Sequence, residues 1–328
     1  MEASPSHVPD GYEIVQRLGA GQTAVVWLAR SLRGGHRVAL KLPKPEALAQ
    51  PVLRRMFENE VQITLKLQHA NVVRAFDGRP TGPDAFLALE FCEGGTLDLL
   101  LLEKGKLARE HALALVRDVA LGLAHAHDRS VLHRDVKPAN VFLSDAGTAK
   151  LGDFGTGTFS AETAEERVGT AFYMAPEIFG GESASIRSDV YSLGVLAYEV
   201  LAGKRPFLGD SYDALMVAHM SSLPRDLRQH RPDVGKHVSA VVMRAMSRDA
   251  AKRFQTVDAF LDAYRVALGG TRSEAEAKAT PAPTGRATRD QGRTAAPVAD
   301  GAAGANGDTE PTPGKRRGLF RFWRRRDG

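Results

Sequence analysis

Between His133 and Asn140 the chain reads His-Arg-Asp-Val-Lys-Pro-Ala-Asn, and Asp153, Phe154 and Gly155 follow thirteen residues after Asn140. Two carboxylates, an ammonium group and an amide thus fall in a stretch that reads as loop, strand, loop. Phosphoryl transfer calls for that set. It needs a carboxylate to orient and deprotonate a hydroxyl, a cation beside the moving phosphoryl group, and oxygen ligands for Mg²⁺. A His-Arg-Asp tripeptide alone recurs by chance. Its combination with Lys137, Asn140 and Asp153 at these separations is far more specific.

Other elements must position such a site. Leu18, Gly19, Ala20, Gly21, Gln22, Thr23, Ala24, Val25 and Val26 form a glycine-punctuated run. Taken alone it reads equally well as a plain hairpin turn. Gly19 and Gly21 would let backbone N–H groups approach phosphates closely. Lys41, set between Val38-Ala39-Leu40 and Leu42, reads as the end of a strand rather than as a solvated lysine. Residues 12 to 42 read as antiparallel strands, and Pro51 to Leu67 as a helix with Val52, Met56, Val61 and Leu65 on its apolar side. Ala85 to Phe91 reads as a further strand, with Glu93-Gly94-Gly95 as a hinge. From Thr96 to Leu268 the pattern is mostly helical, most clearly at Ala108 to Asp128 and Asp189 to Ala202. This order predicts an α+β protein: a small sheet-rich lobe, a larger helical lobe, and a site in the cleft between them.

The set of motifs, in this order over roughly residues 12 to 268, resembles the bacterial eukaryotic-like (Hanks-type) Ser/Thr protein kinases. The resemblance implies a β-rich N-lobe over about 12–91 with one regulatory helix, and an α-helical C-lobe over about 96–268. It implies that Asp135 is the base and that Lys137 neutralises the transferring phosphoryl group. Asn140 and Asp153 would hold Mg²⁺, with Mn²⁺ able to substitute. ATP would lie against Leu18 to Ala24, with Lys41 on its phosphates and Glu60, rather than the neighbouring Glu58, as the lysine's partner. Val26 and Ala39 would roof the adenine, Phe142 would floor it, and the chain at Glu90 and Cys92 would meet its edge. Lys137 and Thr170 imply Ser/Thr rather than Tyr substrates. Glu177 with Arg253, and Asp189, are implied to be structural. Arg134 implies control by autophosphorylation in the activation loop, where Thr158, Ser160 and Thr163 are the candidates; acidic neighbours are the alternative to phosphate. Ala24 in place of a third glycine and Thr64 in place of an apolar residue depart from the family pattern. A small-molecule kinase would be expected to lack the 169–177 segment, and a pseudokinase to lack one of the catalytic groups. Neither expectation is met here.

Hydrophobic content of 43% and charged content of 25% are ordinary for a globular chain. One cysteine, Cys92, excludes an internal disulfide framework and suits a reducing cytoplasm. The amino terminus lacks the pattern of a signal peptide, and no apolar run approaches the ~18 residues of a membrane span. Of 44 basic and 39 acidic residues, 12 and 7 lie from Thr271 onward, so the first 270 residues carry 32 of each. A balanced body makes nucleic acid an unfavoured partner; the resemblance implies protein substrates, and dimerisation is left open. Residues 1–11 read as an extension. Residues 269–314, rich in Ala, Thr, Pro and Gly, read as a disordered linker. Residues 315–328 hold seven basic residues and the apolar Leu319, Phe320, Phe322 and Trp323. On a helix at ~100° per residue those four fall within about 160°. A solvated charge run is the plain reading of this segment; an anionic membrane surface, placing the protein peripherally at the inner membrane face, and a nucleic-acid or protein partner are the alternatives.

Overall fold

The computed structural model of the chain describes residues 7–154 and 164–269. Strands β1 (Tyr12–Ala20), β2 (Ala24–Ser31), β3 (Arg37–Pro43), β4 (Ala75–Arg79) and β5 (Phe86–Glu90) form one antiparallel sheet in the order β1-β2-β3-β5-β4. Alternation along β3 separates two functions. Val38, Leu40 and Leu42 pack with Trp27, Ala29, Phe86 and Ala88 on one face. Ala39 joins Leu18, Val26 and Leu28 on the other, and Lys41, in phase with Ala39, is delivered to that side.

Helices α1 (Pro45–Ala49) and α2 (Pro51–Lys66) follow β3, each opening on a proline whose missing N–H costs nothing in a first turn. The buried positions of α2 are Leu53, Phe57, Glu60, Val61 and Thr64. The expected apolar side holds at Val61, which is buried, and at Leu65, which packs against the same cluster, but Val52 is 59% exposed, and Leu53 and Phe57 carry the packing in its place, Phe57 and Val61 against Ala24, Ala85 and Leu87. Apolar residues lie on both flanks of this helix. Its orientation is set by a buried carboxylate that must reach Lys41.

The helical lobe contains α3 (Leu97–Lys104), α4 (Arg109–His127), the short strands β6 (Val141–Leu143) and β7 (Ala149–Leu151), α5 (Ala164–Ala171), α6 (Pro176–Phe179), α7 (Ile186–Ala202), α8 (Tyr212–Ser221), α9 (Leu227–His230), α10 (Gly235–Ala245) and α11 (Val257–Ala267). Every residue of α7 from Ser188 to Ala202 is buried. A Ser185/Ser188 capping box starts that helix, and Gly203 at φ +71° ends it. The chain before β4 is stitched to this lobe: the Asn71 side chain donates to the Ala149 carbonyl at 3.0 Å, and the Asn71 carbonyl accepts from the Leu151 N–H at 2.9 Å. Gly122 of α4 permits this approach, since a Cβ there would lie 2.3 Å from the Asn71 oxygen. Among the described residues no helix is long and apolar enough to cross a membrane.

Candidate active site

Lys41 projects from β3 to lie 2.5 Å from Glu60 Oε1 on α2 and 3.3 Å from Asp153 Oδ1. Burial alone would lower the lysine's pKa, but the two facing carboxylates push it up, so the ammonium form persists. Burial also pushes the Glu60 carboxyl up against the pull of Lys41. The ionised pair is the form the geometry favours, because one ammonium has two carboxylates within reach. The Thr64 hydroxyl donates to the Glu60 carbonyl at 2.7 Å, one turn back, and is buried there.

Asp135, Lys137, Asn140 and Thr170 converge opposite. Lys137 Nζ lies 2.7 Å from Asp135 Oδ2 and donates to Thr170 Oγ1 at 2.8 Å. Asn140 Nδ2 donates to the Asp135 carbonyl at 2.8 Å and to Oδ2 at 2.9 Å. Burial would raise the Asp135 pKa, but the ammonium of Lys137, with His133 and Asn140, holds it below the usual carboxylate range. It is thus ionised at neutral pH, with Oδ2 engaged by Lys137 and Asn140.

The loop carrying these groups is held from beneath. Asp189 of α7 accepts from the backbone N–H of His133 and of Arg134, each at 2.8 Å, and lies 2.8 Å from His127 Nε2. Arg134 has φ +67° and Asp153 φ +58°, left-handed values costly for side-chain-bearing residues. Charge-assisted hydrogen bonds to Asp189 offset that cost at Arg134. His133 joins the two loops: Nε2–H donates to the Gly152 carbonyl at 2.9 Å and Nδ1 accepts from the Asp135 N–H at 3.3 Å. Burial lowers its pKa, which keeps the ring neutral in that one tautomer. Its ring packs 4.7 Å from that of Phe154, which is fully buried. Arg253, fully buried, makes a bidentate pair with Glu177 at 2.7 Å on both arms.

An apolar cluster on the cleft side of the sheet gathers Leu18, Val26, Leu28, Ala39, Val73, Cys92 and Phe142. Leu18, Val26, Ala39, Cys92 and Phe142 were expected there. Leu28 was not, although it follows Val26 at strand period; Val73 carried no signal. Burial pushes the Cys92 thiol up to about 12, so it packs as an apolar group. Gly19 and Ala20 end β1, and the Gly21 N–H donates to the Ala24 carbonyl at 2.8 Å across the turn holding Gln22 and Thr23. Ala24 itself packs beneath the turn against Phe57 and Val61. The Glu90 side chain pairs with Lys150. Thr158, Ser160 and Thr163 lie outside the described residues. A cavity of about 400 Å³ opens beside Asp135, lined by Arg134, Thr170, Met174, Ile178 and Glu182 among others.

The donors fit a hard divalent cation. Asn140 spends its amide nitrogen on Asp135, which leaves its carbonyl oxygen to pair with the Asp153 carboxylate as an all-oxygen set. Mn²⁺ suits the same donors. The two-lobed fold and this cleft define a phosphotransferase of the kinase class. The protein kinase domain model matches residues 12–264. The serine/threonine-protein kinase PknB of Mycolicibacterium smegmatis is 35% identical over 264 residues, covering 77% of this chain and 42% of that protein. Pkn2 of Myxococcus xanthus is 34% identical over 295 residues, 86% of this chain and 35% of that protein. The crystal structure of a Mycobacterium tuberculosis PknI kinase domain variant aligns with a TM-score of 0.62 at 28% identity, covering 82% of this chain and all of that one. The chain belongs to the protein kinase family, among the bacterial Hanks-type Ser/Thr kinases. The match spans less than half the length of these curated relatives.

Proposed function

We propose that this chain transfers the γ-phosphate of ATP to Ser and Thr hydroxyls of proteins, its own among them. The observation that carries the reading is the bridge from Asp135 through Lys137 to Thr170. It couples a carboxylate able to accept a hydroxyl proton to the segment that would hold a peptide. Lys41, fixed by Glu60, would grip the α- and β-phosphates, while the apolar cluster around Val26, Ala39 and Phe142 takes the adenine. Mg²⁺, or Mn²⁺, held by Asn140 and Asp153 would neutralise charge on the phosphate oxygens. Asp135 Oδ1 orients the hydroxyl in line and receives its proton as the new O–P bond forms and the bond from the γ-phosphorus to the β,γ-bridging oxygen breaks, releasing ADP. Its low pKa suits a group that positions first and takes the proton late. Incubation with γ-labelled ATP, Mg²⁺ and a basic protein is expected to yield phosphoserine and phosphothreonine. Label confined to phosphotyrosine, or to a small metabolite, contradicts the reading.

Activation by loop phosphate is part of the same proposal. The Arg134 side chain lines the 400 Å³ cavity and, among the described residues, has no side-chain hydrogen bond or ion pair, as suits a docking point for an anion. Phosphatase treatment is expected to lower activity severalfold. Mass spectrometry should then place the lost phosphate at Thr158, Ser160 or Thr163. Full activity in a chain with no loop phosphate would instead assign the role to nearby carboxylates.

We further propose a cytoplasmic protein whose segment 315–328 gives peripheral attachment to anionic membrane, each basic residue adding roughly 1 kcal/mol near the surface. Co-sedimentation with anionic but not neutral vesicles, lost in high salt and on deletion of 315–328, is the expected result. Equal recovery of full-length and truncated chains in the supernatant contradicts it.

A further inference from the structure

Glu90 ends β5, where the chain leaves the sheet for the linker carrying Cys92. Its Oε2 accepts from Lys150 Nζ at 3.0 Å and from the Arg74 N–H at 3.3 Å, while its own N–H donates to the Arg74 carbonyl at 2.8 Å. Lys150 lies on β7, directly opposite Phe142 of β6 in register. Both side chains therefore leave the β6–β7 hairpin on the same face. Phe142 enters the apolar cluster there, and Lys150 reaches the linker behind it. The ion pair is largely shielded, with the lysine 15% and the glutamate 27% exposed. Neither residue has another ionic partner among the described residues.

The far end of the same linker is held by the same hairpin. The Gly94 N–H donates to the Leu143 carbonyl and the Leu143 N–H to the Gly95 carbonyl, each at 2.9 Å. A Cβ on Gly94 would lie 2.7 Å from the Ser144 oxygen, so this strapping depends on glycine. Phe91, Cys92 and Glu93 thus span two attachments to this hairpin, one made of backbone on β6 and one made of a single ion pair on β7, while Glu93 also pairs with Arg37 of β3. Only the second can be removed by changing a side chain without introducing a clash.

We propose that Lys150 is a positioning residue for the nucleotide. Through Glu90 it fixes the linker backbone against Phe142, so that the edge and the face of the adenine are met by parts in fixed relation. It touches neither the nucleotide nor the reacting atoms, and the inference rests on the reading of this cleft as an ATP site.

Lys150→Met is expected to weaken ATP binding and raise KM for ATP about fivefold, equivalent to ~1 kcal/mol. The turnover rate at saturating ATP should change less than about twofold, because an interaction equal in ground and transition states alters KM alone. Lys150→Arg should restore most of the affinity. Glu90→Gln should match Lys150→Met, and the double variant should be no worse than either, since both break one interaction. Thermal melts of each variant establish folding, and Glu90→Gln carries the test if Lys150→Met does not fold. Unchanged affinity for a non-hydrolysable ATP analogue, losses that add in the double variant, or a fall in turnover rate with KM intact would overturn the proposal alone. An unmodified chain that binds no ATP analogue overturns the ATP-site reading and the proposal with it.

Discussion

Lys41→Met is expected to lower kcat/KM for phosphoryl transfer by about 10²–10³, the usual loss when one preorganised charge aimed at the reacting group is removed. Methionine keeps the length of the side chain and its packing between the sheet and α2. The ammonium that lies 2.5 Å from Glu60 and 3.3 Å from Asp153 disappears, and two carboxylates then face one another without a cation. Glu60→Gln should cost less, about tenfold, since Lys41 retains Asp153 while losing its tie to α2. Steady-state kinetics on both variants, with circular dichroism to establish folding, make the check. A Lys41→Met variant within threefold of the unmodified protein contradicts the assignment.

The largest effect on stability is expected at Glu177. Arg253 is fully buried, with both guanidinium arms on this carboxylate and further bonds to the carbonyls of Ser247, Arg187 and Arg248. Its ring-like plane also lies over Tyr191, 4.7 Å from the ring centre. Glu177→Ala leaves that charge buried and unpaired, which costs about 3–5 kcal/mol. For a folded body of this size each kcal/mol moves Tm by roughly 2–4 °C, so a drop of about 6–20 °C is expected by calorimetry. Since Glu177 sits at the start of α6, just after the segment carrying Thr170, activity should fall with stability rather than independently of it. A Tm within 2 °C of the unmodified chain would falsify this role for the pair.

Much of the site was legible because its groups lie in short local motifs. Asp135, Lys137 and Asn140 are close in sequence, and a loop with a brief 3₁₀ turn at Pro138–Asn140 suffices to gather them. Lys41 was likewise legible as a strand lysine from its apolar neighbours Val38 to Leu42, and β3 carries it. What was not legible depends on partners distant in the chain. The sequence Ala75–Arg79 has little strand character, and β4 exists as an edge strand because β5 pairs with it. On α2, Glu60 and Val61 were legible as inward, whereas Val52 was misplaced because apolar residues lie on both flanks of the helix and Leu53 and Phe57 are the ones that turn in. Lys150 reads as an ordinary surface lysine until β7 brings it to Glu90. His127, which shares Asp189 with the loop backbone, is one of several histidines near the end of α4 and carries no local sign of that contact.

The most direct measurement is γ-phosphate transfer to protein by the unmodified chain and by Asp135→Asn, side by side at saturating ATP and Mg²⁺. Asparagine preserves the size of the side chain and its neighbours Lys137 and Asn140 but cannot receive the hydroxyl proton. The account predicts phosphoserine and phosphothreonine from the unmodified protein, a loss of about 10²-fold or more in the variant, and unchanged affinity for ATP. Transfer that proceeds in Asp135→Asn at the unmodified rate would contradict it.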